Sequence, residues 1–280
     1  MTTPKVNTIK RGGARFYVSP ATGEKSPGVT SILDMSPKPF LAPWNAKMVA
    51  EEAVNNLGAV VSIAMNNRQA AVDMLKGAAY RSTAHSAEVG TDAHDLFDKL
   101  ANSEPIGRVA AELQPFVDHF NEFLDTCQPE YVHTERTIWS TKYDYAGTFD
   151  AFVIIDGVRY WLDNKTTKSG IHEEVGLQLA AYRYSDVLMN PDGTTTPTPE
   201  GDGGIVLHIR PEGWQLVPVD AGPESFEQFL RFRESFRWDR EAKPHIVGQP
   251  VAFGPTESTL KKPVKRRVPR ALKPATEVAK

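Results

Sequence analysis

The chain has 280 residues, 40 % hydrophobic and 24 % charged, enough for one large globular domain or two small ones. Its one cysteine, Cys127, excludes an internal disulfide, a cysteine-rich zinc site and a four-cysteine iron–sulfur cluster, and the longest apolar-looking stretch, around Gly58 to Met65, is too short to span a bilayer. The net charge of −3 hides an asymmetry: from Thr256 onward Lys261, Lys262, Lys265, Arg266, Arg267, Arg270, Lys273 and Lys280 stand against Glu257 and Glu277, so an acidic body carries a basic tail.

The opening segment, MTTPKVNTIKRGG, lacks the apolar run of a signal peptide, and a cytoplasmic, non-membrane protein is expected. Residues 1–36 read as short strands and turns, with "RFYV" and "VTSIL" as the apolar pieces. Pro37, Pro39 and Pro43 punctuate the entry to a helix through "NAKMVAEEAVNNL", and "NRQAAVDMLKGAAYR" reads as a second helix. A third is expected from about Ser86 to Ala101, with an apolar stripe at Val89, Ala93, Leu96, Phe97 and Leu100. Gly90 and His94 lie one turn apart beside that stripe. A mid-helix glycine costs about 1 kcal/mol relative to alanine, so Gly90 wants a reason, and close approach of another backbone is one. A fourth helix is expected over about Gly107 to Cys127, kinked or divided at Pro115.

Strand signals follow. "EYVHTERTIWS" is rich in β-branched and aromatic residues. "GTFDAFVIIDGVRYWLDNKT" contains Asp156-Gly157, a two-residue hairpin signal. With that turn Ile155 faces Val158, Asp150 faces Asp163 and Thr148 faces Lys165. Alternation then puts Asp150, Asp163 and Lys165 on one side, with Phe152 and Trp161 on the same face. Two opposed carboxylates repel, and a hard divalent cation is one way to hold them together; an ordinary Asp–Lys ion pair at a strand end is the other. A helix is expected from about Glu173 to Met189, with Leu177, Ala181, Tyr184 and Leu188 inward and Gln178 and Tyr182 together on its flank. "NPDGTTTPTPEGDGG" reads as an insertion at a surface tip, "IVLHIR" and "WQLVPV" as a strand pair across "PEG", and Pro223 to Glu241 as a last helix. The class is therefore α/β or α+β with a central mixed sheet, occupying residues 1–248, followed by a disordered basic tail over 249–280.

The order "GTDAH", "GTFD", "LDNKT", "QLAAY" resembles the RecB-like branch of the PD-(D/E)XK nuclease superfamily, and the lead-in "GVTSIL…PFLAPWNAK" is similar, more loosely, to exonucleases of that branch encoded by bacterial viruses. The resemblance implies a restriction-endonuclease-like core with helical N-terminal elaboration. It implies a metal-dependent DNA exonuclease acting in recombination, repair or replication, with Mg2+ or Mn2+ held by His94, Asp150, Asp163 and the carbonyl of Asn164. Lys165 would position the attacking water, and Gln178 and Tyr182 would shape the site and touch DNA. Glu135 matches an acidic residue of many members only weakly, and a solvent-facing role is the simpler reading. Lys168, with Lys261, Lys262, Lys265, Arg266 and Arg267 of the tail, is a candidate phosphate contact. No Gly-x-x-x-x-Gly-Lys-Ser/Thr phosphate loop occurs, so strand unwinding falls to another protein; a recombinase, a single-strand-annealing protein or a helicase is the implied partner besides DNA. A structure-selective endonuclease and a non-catalytic DNA-binding or adaptor protein are the rival readings.

Overall fold

The computed structural model describes residues 6–249 and 251. The tail candidates Lys261, Lys262, Lys265, Arg266 and Arg267 lie outside the described residues. Strands β1 (Thr8–Arg11), β2 (Ala14–Val18) and β3 (Lys25–Pro27) form a small antiparallel sheet. Helices α1 (Val29–Leu33), α2 (Leu41–Asn55), α3 (Leu57–Asn66), α4 (Arg68–Lys76), α5 (Ala78–Ala101) and α6 (Gln114–Cys127) follow. The remainder runs β4 (Glu130–Ser140), β5 (Tyr145–Ile155), β6 (Val158–Lys165), α7 (Glu174–Arg183), β7 (Val187–Met189), β8 (Thr195–Pro197), β9 (Gly203–Arg210), β10 (Gly213–Val219) and α8 (Pro223–Arg237). A π turn at Trp238–Ala242 extends α8.

Seven strands build one mixed sheet in the order β10-β9-β6-β5-β4-β7-β8. Within it β6 and β9 are parallel and the other neighbours antiparallel. Side chains of β6 and β9 alternate between two buried clusters, as a two-residue period demands. Leu162, Ile205 and Leu207 pack beneath α5 and α6 with Phe97 and Phe120. Trp161 and Val206 pack on the other face, beneath α1, α7 and α8, with Ile32, Leu179 and Phe229. The result is an α/β architecture, a mixed sheet between two helical layers. No residue of α2 or α3 is buried, so these helices stand outside both layers. Among the described residues no helix is long and apolar enough to cross a membrane.

Several elements differ from their sequence expectation. "VTSIL" is the short helix α1 rather than a strand, and it buries Val29, Ile32 and Leu33 against the sheet. The apolar stretch from Gly58 forms a helix of its own, α3. The second expected helix ends at Lys76, and α5 starts at Ala78 and runs unbroken for 24 residues. Pro115 neither kinks nor divides a helix; it sits in the first turn of α6, where a missing N–H costs nothing. The helix expected to reach Met189 stops at Arg183, because Val187–Met189 joins the edge of β4 as a strand. Leu188 is accordingly buried from a strand, not from a helical stripe. The supposed tip insertion holds β8, paired with β7, and the first two residues of β9.

Candidate active site

The Asp156-Gly157 turn forms with φ of +50° and +79°, as a two-residue hairpin turn of the primed type requires. The register follows: Ile155 faces Val158, Phe152 faces Trp161 and Ala151 faces Leu162. There the β5–β6 ladder ends. The expected pairs Asp150–Asp163 and Thr148–Lys165 are not rungs of it. Beyond Leu162, β6 keeps only its parallel partner, with Asp163 opposite Val206, Asn164 opposite Leu207 and Lys165 opposite His208. Facing carboxylates would repel at a rung, and the strands part at that point instead.

Alternation also breaks at Asp150. Phe149 packs in the cluster under α7, whereas Ala151, two residues on, packs in the cluster under α5. On β4, Glu135 occupies the position between the rungs Arg136–Phe149 and Thr134–Ala151, and its φ is +49°. A non-glycine residue in the left-handed region is uncommon, and such backbone often sits at functional sites. The strict two-residue period used to place Asp150 beside Phe152 therefore fails at Asp150 itself. Its carboxylate instead reaches into the gap between the strands, where Oδ2 accepts a hydrogen bond from the Asn164 N–H at 2.8 Å.

The remaining groups assemble around this gap. His94 Nδ1 stands 3.5 Å from Asp150 Oδ2. The α5 stripe packs as expected, with Ala93 and Phe97 fully buried, and this turns His94 toward the sheet. A Cβ on Gly90 would fall 3.2 Å from Thr166 Oγ1, so the close approach comes from a side chain at the end of β6 rather than from a backbone. Asp163 is 2 % exposed. Its Oδ1 accepts a hydrogen bond from Gln178 Nε2 at 2.7 Å, and Lys165 Nζ lies 2.7 Å from Oδ2. That ion pair is the contact the structure gives Oδ2. Gln178 Nε2 also donates to Tyr182 Oη at 3.1 Å. Tyr182 is buried, with its hydroxyl against Gln178 rather than at the surface where the expected DNA contact would place it. The glycine of "GTFD" makes room for it: a Cβ on Gly147 would lie 2.7 Å from Tyr182 Cε1 and 3.1 Å from Val29 Cγ2.

Electrostatics follow from this packing. Burial, then the charge of Asp163, pushes the Asp150 carboxyl up to about 6, against the opposing pull of His94, Lys165 and the Asn164 N–H. Burial draws the Lys165 ammonium down, but Asp163 outweighs it, helped by Asp150 and Glu174, and the net displacement is upward. Burial raises the Tyr182 phenol well above its ordinary range, with Tyr17, Asp163 and Asp150 adding to it. A small cleft of about 10 Å³, the room of roughly one water-sized particle, is lined by His94, Asp150, Asn164 and Glu135. Glu135 is thus half-buried against the cleft, where the simpler reading had it facing solvent. Lys168 is exposed on the turn after β6.

Among the described residues, no three His, Cys, Asp or Glu side chains converge as a metal-holding group. The donor chemistry nonetheless suits a hard divalent cation. Asn164 Oδ1 is buried without a hydrogen-bond partner, Asp163 Oδ2 is met only by the Lys165 ammonium, and the Asp163 charge bears on the Asp150 carboxylate. Sequence reasoning missed three supporting contacts. His208, 2 % exposed and opposite Lys165, bonds through Nε2 to the Thr167 carbonyl at 2.8 Å and through Nδ1 to Gln215 at 3.1 Å. Tyr17 Oη donates to Thr148 Oγ1 at 3.1 Å, and Lys38 pairs with Glu174 at 3.4 Å. Only a histidine inside an apolar strand was visible as a signal.

No family model matches the chain, and neither does any curated protein. Among solved structures it is similar to the crystal structure of SSO0001, at 15 % identity and a TM-score of 0.28. That alignment covers 46 % of this chain and 61 % of the other, under two thirds of its length. A likeness of that size leaves function to be argued from the site.

Proposed function

We propose that this chain is a Mg2+- or Mn2+-dependent deoxyribonuclease of the PD-(D/E)XK type, working as an exonuclease. The observation that carries this reading is Lys165 Nζ held 2.7 Å from buried Asp163, beside an Asp150 carboxyl whose proton affinity is raised by burial and then by that same neighbour. Asp150, Asp163, His94 and the Asn164 main chain would hold the ion, with Glu135 lining the small cleft beside His94 and Asp150. When bound, such an ion polarises a phosphodiester and acidifies water. The chain's own groups do the rest. Lys165 orients the attacking water and offsets charge that develops on the phosphate oxygens. Gln178 fixes one Asp163 oxygen, and Tyr182 fixes Gln178. The Asn164 N–H fixes Asp150, so both carboxylates enter the reaction with their rotamers set.

The test is direct. Purified protein is incubated with end-labelled single- and double-stranded DNA, with and without Mg2+ or Mn2+, and the products are resolved. Metal-dependent release of nucleotides from ends is expected. Lys165→Ala is expected to lose at least about 100-fold of that activity, the scale set by removing one transition-state donor. A Lys165→Ala protein as active as wild type would overturn the catalytic assignment. Cutting of covalently closed circles would move the reading to an endonuclease, and no cutting under any metal would leave a DNA-binding protein.

A further inference from the structure

The segment leading into α2 carries an aromatic ring that the core does not use. Phe40 is 52 % exposed and stacks on His172, with ring centroids 5.9 Å apart and planes within 4°. That is the spacing of an offset stack. About half the Phe40 surface thus remains open to solvent. Its position is fixed from several sides. Pro37 and Pro39 restrict φ on either side of Lys38. Lys38 pairs with both Asp34 and Glu174 at 3.4 Å, tying this segment to the first turn of α7. The His172 Nε2 lies 2.9 Å from Ser169 Oγ, which locks the second ring to the turn that follows β6.

The pair is joined to the proposed chemistry through the start of α7. His172 comes seven residues after Lys165. Glu174, the partner of Lys38, lies one turn before Gln178 on α7, and Gln178 donates to Asp163 Oδ1 at 2.7 Å. Exposed Lys168 belongs to the same turn. A rigid, half-open aromatic face, a nearby lysine and an adjoining phosphodiester site together match the chemistry of an unstacked nucleotide, because every base has a π face to lay on such a ring.

We propose that Phe40, backed by His172, is a stacking platform for an unpaired base at the strand end entering the site, with Lys168 beside it for the phosphate. This inference rests on the nuclease reading and adds a preference for single-stranded or frayed ends. The full chain carrying Lys165→Ala, so that substrate survives, is titrated with an oligonucleotide bearing 2-aminopurine as its terminal base and a dye at the other end. Dye anisotropy reports binding and 2-aminopurine fluorescence reports stacking. The parent and Phe40→Trp are expected to quench the terminal base. Phe40→Ala and His172→Ala, with unchanged circular dichroism, are expected to bind about tenfold more weakly and to lose the quench. Equal quenching by Phe40→Ala and the parent would overturn the platform while leaving the nuclease reading intact. If no oligonucleotide binds and the wild type digests no DNA, both readings fall together.

Discussion

At Asp163 and Asp150, the structure sets two carboxylates against different internal partners. Lys165 neutralises Asp163, and any bound cation must share that carboxylate with the ammonium. Lys165→Ala is therefore expected to bind Mn2+ about tenfold more tightly while losing turnover, a shift of about 1.4 kcal/mol readable by titration calorimetry. Loss of metal affinity in that variant would mean that the lysine supports the ion rather than competing with it. Asp150 carries a half-buried charge that desolvation and Asp163 both disfavour. Replacing it with asparagine keeps an acceptor for the Asn164 N–H and removes the charge. Metal-free Asp150→Asn protein is expected to unfold at higher temperature than wild type at pH 7, by about 1–3 kcal/mol of stability, with activity lost. Thermal melts in chelator check this, and a lower melting temperature would refute it. The candidate residues Asp150, Asp163, Lys165, His94 and Gln178 were legible in the sequence because each lies in a short local motif. That Asn164 contributes a buried orphan oxygen, or that Glu135 turns into the cleft, was not legible, since both depend on how neighbouring strands part.

Between elements, the contacts that matter join pieces distant in sequence. The hairpin tip is tied to the start of β9 by Arg159, whose Nε and Nη2 reach the Asp202 carboxylate at 3.1 and 2.8 Å while its N–H donates to the same group at 3.0 Å. These bonds, the side-chain ones first, hold the Asp202 carboxyl down to about 2. A lowered value means the clamp stabilises the fold above the unfolded carboxylate range, near 4, and that this contribution disappears as pH falls toward 2. Asp202→Asn is thus expected to melt below wild type at pH 7, with the gap closing between pH 4 and pH 2; a constant gap would deny the clamp its electrostatic part. Gly147→Ala tests the seating of β5 against α7 and α1. Its methyl group would enter the space of Tyr182 and Val29, and a loss of about 1–3 kcal/mol in chemical denaturation is expected. The reading of Gln178 and Tyr182 as a pair came from helical spacing alone, whereas the early end of α7 came from β4 offering an edge to Val187–Met189.

For the whole molecule, the proposed role for DNA turns the contrast between an acidic body and a basic tail into a test. Removing residues from Gly254 onward is expected to leave the melting temperature unchanged. It should weaken DNA binding and flatten the dependence of log affinity on log salt, by about 0.9 for each phosphate that the tail no longer neutralises. An unchanged slope would exclude the tail from the interface.

The sequence by itself determined the α/β class, the Asp-Gly turn, the hairpin register as far as Ala151–Leu162 and the inward stripe of α5, because turn chemistry and residue period act over a few neighbours. Only the tertiary structure decided where β6 leaves β5 for β9, how Asp150 slips out of alternation, which oxygen of Asp163 meets Gln178, and that Phe40 lies on His172. Those outcomes are set by competition between distant strands and helices for the same backbone edges and the same buried space, and no local pattern encodes the winner.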